Sequence, residues 1–129
     1  MKIIRICSMI VRASFILALI LGLSFWFGWL APTPGIQGIH MLLGIIFVLG
    51  LWGIGLAQGF ALKNGSLALG IATFIVGLAV VIVGLQQDSW RASVGVEAMN
   101  GIHLVLNILA IGLAEMVAGR SKRLAKAQA

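Results

Sequence analysis

The chain has 129 residues, of which 61% are hydrophobic and only 9% are charged, and its formal net charge is +6. This composition lies far outside the range of soluble domains, so we predict a single integral membrane domain over residues 1–129. The basic residues flank apolar segments and do not interleave with aromatic residues. That pattern argues against a nucleic-acid partner and makes the lipid bilayer the expected one.

Four apolar segments are long enough to cross a bilayer, whose hydrocarbon core of about 30 Å takes about 20 helical residues. They cover residues 13–30, 38–62, 65–85 and 98–118. Between them we predict a short connection at residues 31–37, a tight turn at Lys63 and Asn64, and one larger loop at residues 86–97. Short connections make consecutive helices antiparallel. The predicted fold is therefore an all-α, four-transmembrane-helix bundle with up-down-up-down topology.

The basic residues predict how this bundle is oriented. Under the up-down threading only Arg91 falls on one side, and the other eight fall on the opposite side: Lys2, Arg5, Arg12, Lys63, Arg120, Lys122, Arg123 and Lys126. Because Lys and Arg near a membrane are retained in the cytoplasm, both termini are predicted to be cytoplasmic. Trp26, Trp29 and Trp90 then lie near the outer interface, where indoles are favoured. The expected location is the inner (plasma) membrane of a bacterium.

A short motif occurs twice. Gly38-Ile39-His40 recurs 63 residues later as Gly101-Ile102-His103. The repeat favours a duplicated two-helix hairpin whose pseudo-twofold axis is parallel to the membrane normal, which would place both histidines at one depth, facing each other. Chance identity in a sequence rich in Gly and Ile is the competing explanation.

His40 and His103 are the only histidines in the chain. An imidazole in a membrane needs polar partners, and an intramembrane ionisable residue indicates function by default. One interpretation gives each histidine a neighbouring amide, a carbonyl or interfacial water. The other pairs them around a cofactor. Zinc would require more ligands than the segments supply, whereas a haem needs only two axial ligands. The pair therefore predicts one haem b, with His40 and His103 as axial ligands of its iron.

Other residues would complete such a site. Gly44 lies one turn from His40 and leaves room for a flat ring, and Arg91, together with Gln86, Gln87 and Trp90, is expected to meet the haem propionates. Asn107 lies one turn beyond His103, where it would bond a ligand or bridge to another helix. Gln37 and Asn100 each precede a histidine by three residues and are expected to bond the second imidazole nitrogen. Gly70, Gly77 and Gly84 recur every seven residues, for either a macrocycle or helix packing.

Gly38-Ile39-His40, Gly44 and Gly101-Ile102-His103, placed on diagonal helices of a four-helix core, resemble the bis-histidine haem sites of small membrane b-type cytochromes. The resemblance implies an electron carrier, rather than an enzyme with its own substrate, that is linked to quinol or to a redox partner protein. It would act alone, as a homodimer or within a larger complex. Many such cytochromes hold two haems on two histidine pairs, whereas this chain offers one pair.

Three other functions remain open. A non-catalytic accessory subunit of a larger membrane complex would need only apolar helices and this charge bias. Small multidrug transporters have a similar size, but they depend on a carboxylate in the first helix, and residues 13–30 contain none. A copper site would use Met41 or Met99 beside the histidines. Motifs for hydrolysis or phosphoryl transfer are absent from the sequence.

Overall fold

The computed structural model describes residues 2–129, which form an all-helical fold. Four long helices follow one another along the chain: α1 (Lys2–Trp26), α2 (Pro34–Leu56), α3 (Leu67–Val94) and α4 (Val96–Ala127). A π-helical turn, Ala57–Ala61, extends α2. The prediction of an all-α fold with four long apolar helices is therefore confirmed.

The helices differ from the predicted segments mainly at their ends. Helix α1 begins at Lys2 and α4 continues to Ala127, so both extend beyond the apolar stretches. The predicted loop at residues 86–97 is wrong, because residues 86–94 continue α3. These residues are polar, but they include neither Gly nor Pro, so nothing in their backbone chemistry ends a helix. Only Gly95, at φ 94° and ψ 150°, separates α3 from α4.

Helix ends and turns follow from local chemistry. Pro34 occupies the first position of α2, where its missing N–H has no intrahelical acceptor to lose. Ser66 caps α3, since its hydroxyl accepts the Leu69 N–H at 3.3 Å. The predicted tight turn at Lys63 and Asn64 is confirmed, with Asn64 in the left-handed region at φ 60°.

Each helix packs against the next along the chain, and α4 also packs against α1. Helices α2 and α4 make much less contact with each other. The buried core combines larger residues of α2 with smaller residues of α4: Phe47, Leu51 and Ile54 with Ala110, Ala114 and Val117. This core lies in the part of α2 and α4 that follows the two histidines in sequence.

Two polar contacts define how α1 lies beside α4. Trp26 Nε1 donates to Glu97 at 2.7 Å, and the Arg12 guanidinium donates two hydrogen bonds to the Glu115 carboxylate at 2.6 and 2.7 Å. The last turn of α1 therefore lies beside the first turn of α4. The earlier part of α1 lies beside the later part of α4.

A buried polar cluster lies where the π-helical turn meets α4. In the amide orientation that satisfies all partners, Gln58 Nε2 donates to Ser121 Oγ at 2.6 Å. Its Oε1 accepts from the Ser66 N–H at 3.0 Å and from Arg120 Nε at 3.3 Å. Gln58 and Ser121 are both fully buried. Because every polar atom of the amide has a partner, the cluster stabilises this end of the bundle without leaving a buried polar group unpaired.

The outer surface of the bundle is apolar. All four helices are long and apolar enough to cross a membrane, which is consistent with an integral membrane protein. Large aliphatic side chains on every helix are more than half exposed, for example those of Ile16, Leu49, Ile75 and Leu109. Lipid tails would cover such a surface without the free-energy cost that it would carry in water.

Candidate functional site

The two histidines come together between the helices. The imidazole rings of His40 on α2 and His103 on α4 have centroids 6.2 Å apart, and their planes differ by 55°. Both side chains line a cavity of about 500 Å³ to which all four helices contribute. A cavity of this size lies within the usual range for small-molecule and cofactor sites, about 300–1,000 Å³.

The cavity contains most of the residues that the sequence suggested for a site. Its lining includes Gln37, His40, Gly44, Arg91, Asn100, His103 and Asn107. Gln87 also lines it, whereas Gln86 and Trp90 do not. Polar residues concentrate near the joint between α3 and α4, and apolar residues form most of the remaining wall. This polarity suits a ligand that is largely apolar and carries polar groups at one edge.

Each histidine lies against a glycine of the preceding helix. A Cβ atom added at Gly22 would lie 3.2 Å from His40 Cε1, and one added at Gly84 would lie 3.7 Å from His103 Cε1. Phe25 adds an edge contact to His40, with ring centroids 5.8 Å apart. At Gly44 an added Cβ would meet nothing within 4 Å, so that wall of the cavity is open.

Gly22 was missed by the sequence reasoning. It precedes His40 by 18 residues, and Gly84 precedes His103 by 19. The repeat does not reveal it, because at an offset of 63 residues Gly22 matches Leu85 and not Gly84.

The glycines spaced by seven have different roles. An added Cβ would clash with Gly55 O at Gly70 and with the Trp52 indole at Gly77, so these two positions allow α3 to approach α2 closely. Gly84 instead lines the cavity beside His103. The stripe therefore serves helix packing over most of its length and the site at one end.

Both imidazoles have an unsatisfied nitrogen. His40 Nδ1 and His103 Nδ1 are buried and have no hydrogen-bond partner among residues 2–129. Asn107 Nδ2 donates to the His103 carbonyl at 2.8 Å and lies 3.5 Å from His103 Nε2. Because a buried nitrogen without a partner costs free energy, each ring would gain from a ligand that bonds it.

Among the described residues, neither Gln37 nor Asn100 bonds the Nδ1 atom of a histidine. Asn100 Oδ1 instead accepts from Gln87 Nε2 at 3.1 Å and from Arg91 Nη2 at 3.2 Å. A spacing of three residues put the amide on the histidine's side of the helix, but the longer Gln87 and Arg91 side chains reach it from α3. The competition between helices is not visible in sequence spacing.

Arg91 lies at the polar end of the cavity. Its Nη1 donates to Asp88 at 2.8 Å, and its Nη2 donates to Asn100 at 3.2 Å. Its Nε is buried and has no partner within the described chain. The guanidinium thus retains a donor for an anionic group at this edge of the cavity.

Only one of the two methionines considered for a copper site lines the cavity. Met41 lines the cavity, whereas Met99 is buried and does not belong to the lining. Within residues 2–129 no three side chains from His, Cys, Asp and Glu gather as a metal-binding group. Asp88 and Glu97 also line the cavity, but Asp88 accepts from Arg91 and Glu97 accepts from Trp26. The two imidazoles are therefore the nitrogen donors available at the cavity, which suits a metal whose remaining ligands come with it.

Positions of α2 and α4 that differ by 63 residues have matching environments. Both histidines of the pair are partly buried, and Gln58 and Ser121, also 63 apart, hydrogen-bond to each other. The same offset relates three further pairs of buried residues: Phe47 and Ala110, Leu51 and Ala114, and Ile54 and Val117. Two equivalent pairs thus meet each other, one near each end of the bundle.

Comparison with known protein families, curated proteins and solved structures found no match to this chain.

Proposed function

We propose that this chain is an integral membrane b-type cytochrome that holds one haem b between His40 and His103 and transfers electrons. The observation that carries the proposal is the pair of imidazoles, 6.2 Å apart by ring centroids, in a cavity of about 500 Å³. In both rings Nδ1 is buried and has no hydrogen-bond partner among residues 2–129, which supports a ligand at this position.

The two rings lie close enough for one cofactor to contact both. Their centroids are 6.2 Å apart, and both side chains line the same cavity. A zinc site would need further protein ligands, and no three side chains from His, Cys, Asp and Glu gather among residues 2–129. This favours haem b, whose porphyrin supplies the remaining ligands of its iron.

The lining of the cavity supports a porphyrin as the ligand. Gly44 leaves open space on the same helix as His40, Gly22 and Gly84 make room for the imidazole edges, and apolar residues line most of the wall. Arg91 would pair with the propionates through its free Nε–H, as a guanidinium does with a carboxylate. Asn107 would orient His103 through its bond to the His103 carbonyl and its position beside the ring.

The proposal includes the arrangement in the membrane. The four helices form an up-down-up-down bundle in the inner membrane of a bacterium, with both termini in the cytoplasm and the histidines nearer the outer face. The contacts of α1 with α4, at Trp26–Glu97 and at Arg12–Glu115, support opposite directions for these two helices. The charge bias supports the orientation. The paired positions at an offset of 63 residues support a duplicated hairpin.

Bound haem b would supply a one-electron iron couple. The protein's residues would hold both imidazoles in place, exclude water with the apolar wall, and neutralise negative charge through Arg91. A site near the outer face is accessible to a quinol in that leaflet or to a redox partner protein outside. With a single haem at this depth, such a carrier would pass electrons between a quinol and a redox partner protein. It would work alone, as a homodimer or in a larger complex.

The test is a reduced-minus-oxidised visible spectrum of the detergent-purified protein, expressed with ample haem. We expect a sharp low-spin b-type signal that is lost in His40→Ala and in His103→Ala. Ile39→Ala and Ile102→Ala are matched controls, because these residues adjoin the histidines but are about half exposed on the outside of the bundle. Both control variants are expected to retain the signal.

Two results would contradict the proposal. A protein without pigment would favour the accessory-subunit function, which needs no cofactor. A protein with stoichiometric copper and no porphyrin would favour the copper site.

A further inference from the structure

The seam between α1 and α4 carries an unusual group of charges. Beyond the Arg12–Glu115 ion pair, towards the end of α4, Lys122 Nζ donates to Ser8 Oγ at 3.4 Å. Ser8 is buried, at 2% exposure, so this contact draws the Lys122 stem over the seam. The two contacts fix which residues of α1 and α4 are neighbours at this end.

Two more cations extend the same seam. Arg5 precedes Ser8 by three residues on α1, and Lys126 follows Lys122 by four on α4. At about 100° per helical residue, both spacings keep the side chains on nearly the same helix face as their partners in the seam. Arg5 and Lys126 are exposed. We call Arg5, Ser8, Lys122 and Lys126 the basic seam.

The three acidic side chains of the chain have other partners. The chain has three acidic residues, Asp88, Glu97 and Glu115. Glu115 is already paired with Arg12, Asp88 is paired with Arg91, and Glu97 lies at the opposite end of α4. Among residues 2–129, none of the three seam cations is within ion-pair distance of a carboxylate. Neighbouring like charges raise the free energy of the fold unless an anion lies among them.

We infer that the basic seam binds the phosphate of an anionic phospholipid headgroup. The seam begins where the apolar part of α4 ends, which is the depth of lipid headgroups for a helix that crosses a bilayer. Clustered Lys and Arg at the cytoplasmic end of a membrane helix attract anionic lipid, at about 1 kcal/mol for each basic residue. Ser8 lies beneath these cations and holds the Lys122 ammonium at the seam. This inference rests on the chain spanning a bilayer and is independent of haem binding.

The experiment measures thermal unfolding of the detergent-purified full chain during titration with phosphatidylglycerol, phosphatidylcholine or inorganic phosphate. A ligand that binds only the folded state raises the unfolding temperature in proportion to its affinity. We expect phosphatidylglycerol to raise it, and we expect phosphatidylcholine and inorganic phosphate to have little effect. The Arg5→Gln/Lys126→Gln variant should bind phosphatidylglycerol about 30-fold more weakly.

A matched control removes the same amount of charge outside the seam. The Lys63→Gln variant changes a residue in the α2–α3 connection, and its counterpart in the seam is the single variant Lys126→Gln. The Lys63→Gln variant should retain the affinity of the unaltered chain. The Arg5→Lys/Lys126→Arg variant keeps both charges and should also retain it, which separates a loss of binding from a folding defect.

Three outcomes would overturn the inference. Equal weakening in the seam and control variants would indicate diffuse attraction to the whole basic end. An equal response to inorganic phosphate would assign the site to a free anion and not to a lipid. No response to phosphatidylglycerol would exclude the site.

Discussion

The contact between Gly22 and His40 shows how a single residue can determine whether a cofactor fits. His40 lies so close to α1 that even a methyl group at position 22 would approach its Cε1 to 3.2 Å. Protein interiors are close-packed, and an added carbon forces a neighbour out of its preferred rotamer. Since the direction of the imidazole decides where its nitrogens lie, haem binding at the proposed site should be sensitive to the residue at position 22.

We therefore expect Gly22→Ala to weaken haem binding about fivefold or more, because overpacking costs about 1–3 kcal/mol. Gly84→Ala is the matched comparison, since its Cβ would lie at an ordinary 3.7 Å from His103 Cε1. That variant should bind haem nearly as well as the unaltered chain. The measurement is haem absorbance per protein during titration with limiting haem. A greater loss of haem binding in Gly84→Ala than in Gly22→Ala would contradict the observed contacts of these glycines with the histidines.

At the scale of single residues, the sequence predicted seven residues that line the cavity, but it did not predict the hydrogen bonds that they form. The seven predicted residues all line one cavity. Polar residues in an apolar helix face the interior of the bundle, because contact with lipid would leave them without hydrogen-bond partners. The partners of Asn100 depend on which α3 side chains reach across the cavity. Gly22 contributes no side chain, so its importance appears only when His40 is placed beside it.

Between elements, the most demanding position is the joint of α3 and α4. Two helices of 28 and 32 residues are separated by Gly95 alone. Its φ of 94° and ψ of 150° lie in a region that is almost exclusive to glycine. This joint is adjacent to Arg91 and to the polar end of the cavity. The backbone freedom of one residue thus places the histidine-bearing α4 beside α3.

Gly95→Ala is expected to lower the free energy of unfolding by about 1–3 kcal/mol, the usual cost of forcing a side chain into this region. Unfolding of the detergent-purified protein by heat or denaturant would measure the change. Gly112→Ala is a suitable control, because Gly112 is helical and an added Cβ there would meet nothing within 4 Å. The control should be neutral or slightly more stable, since Ala favours a helix over Gly. A stable Gly95→Ala variant would contradict the conformation of the joint.

The helices were easier to predict than their ends. Hydrophobic length predicts a membrane span, so the number and order of the helices followed from composition. Helix ends depend on residues such as Gly and Pro, which change the conformation of the backbone, and not on how polar the side chains are. Residues 86–94 are polar and still helical, and α4 continues through the basic residues after residue 118. Polarity marks where a helix would leave the membrane and not where the helix stops.

Over the whole molecule, most basic residues lie at one end of the bundle and the histidine cavity lies at the other. Eight basic residues occur near the chain ends and in the α2–α3 connection, whereas both histidines lie towards the α3–α4 joint. The Arg12–Glu115 pair and the Gln58–Ser121 cluster tie together the basic end, and the cavity occupies the other end. By the positive-inside rule, the basic end is expected to face the cytoplasm. The proposed electron-transfer site would then face the opposite compartment.

Cysteine labelling in cells would test that orientation. Cys7 is the only cysteine, so a Cys7→Ser background allows one new thiol at a time. With a membrane-impermeant maleimide, we expect Ser93→Cys near the α3–α4 joint to react in intact spheroplasts. Asn64→Cys should react only after the membrane is opened, because it lies in the connection that carries Lys63. Both positions are exposed, so a difference between them reports topology and not burial. The reverse pattern would put the histidine cavity near the cytoplasm, and the electron partners of the proposed cytochrome would then have to be cytoplasmic.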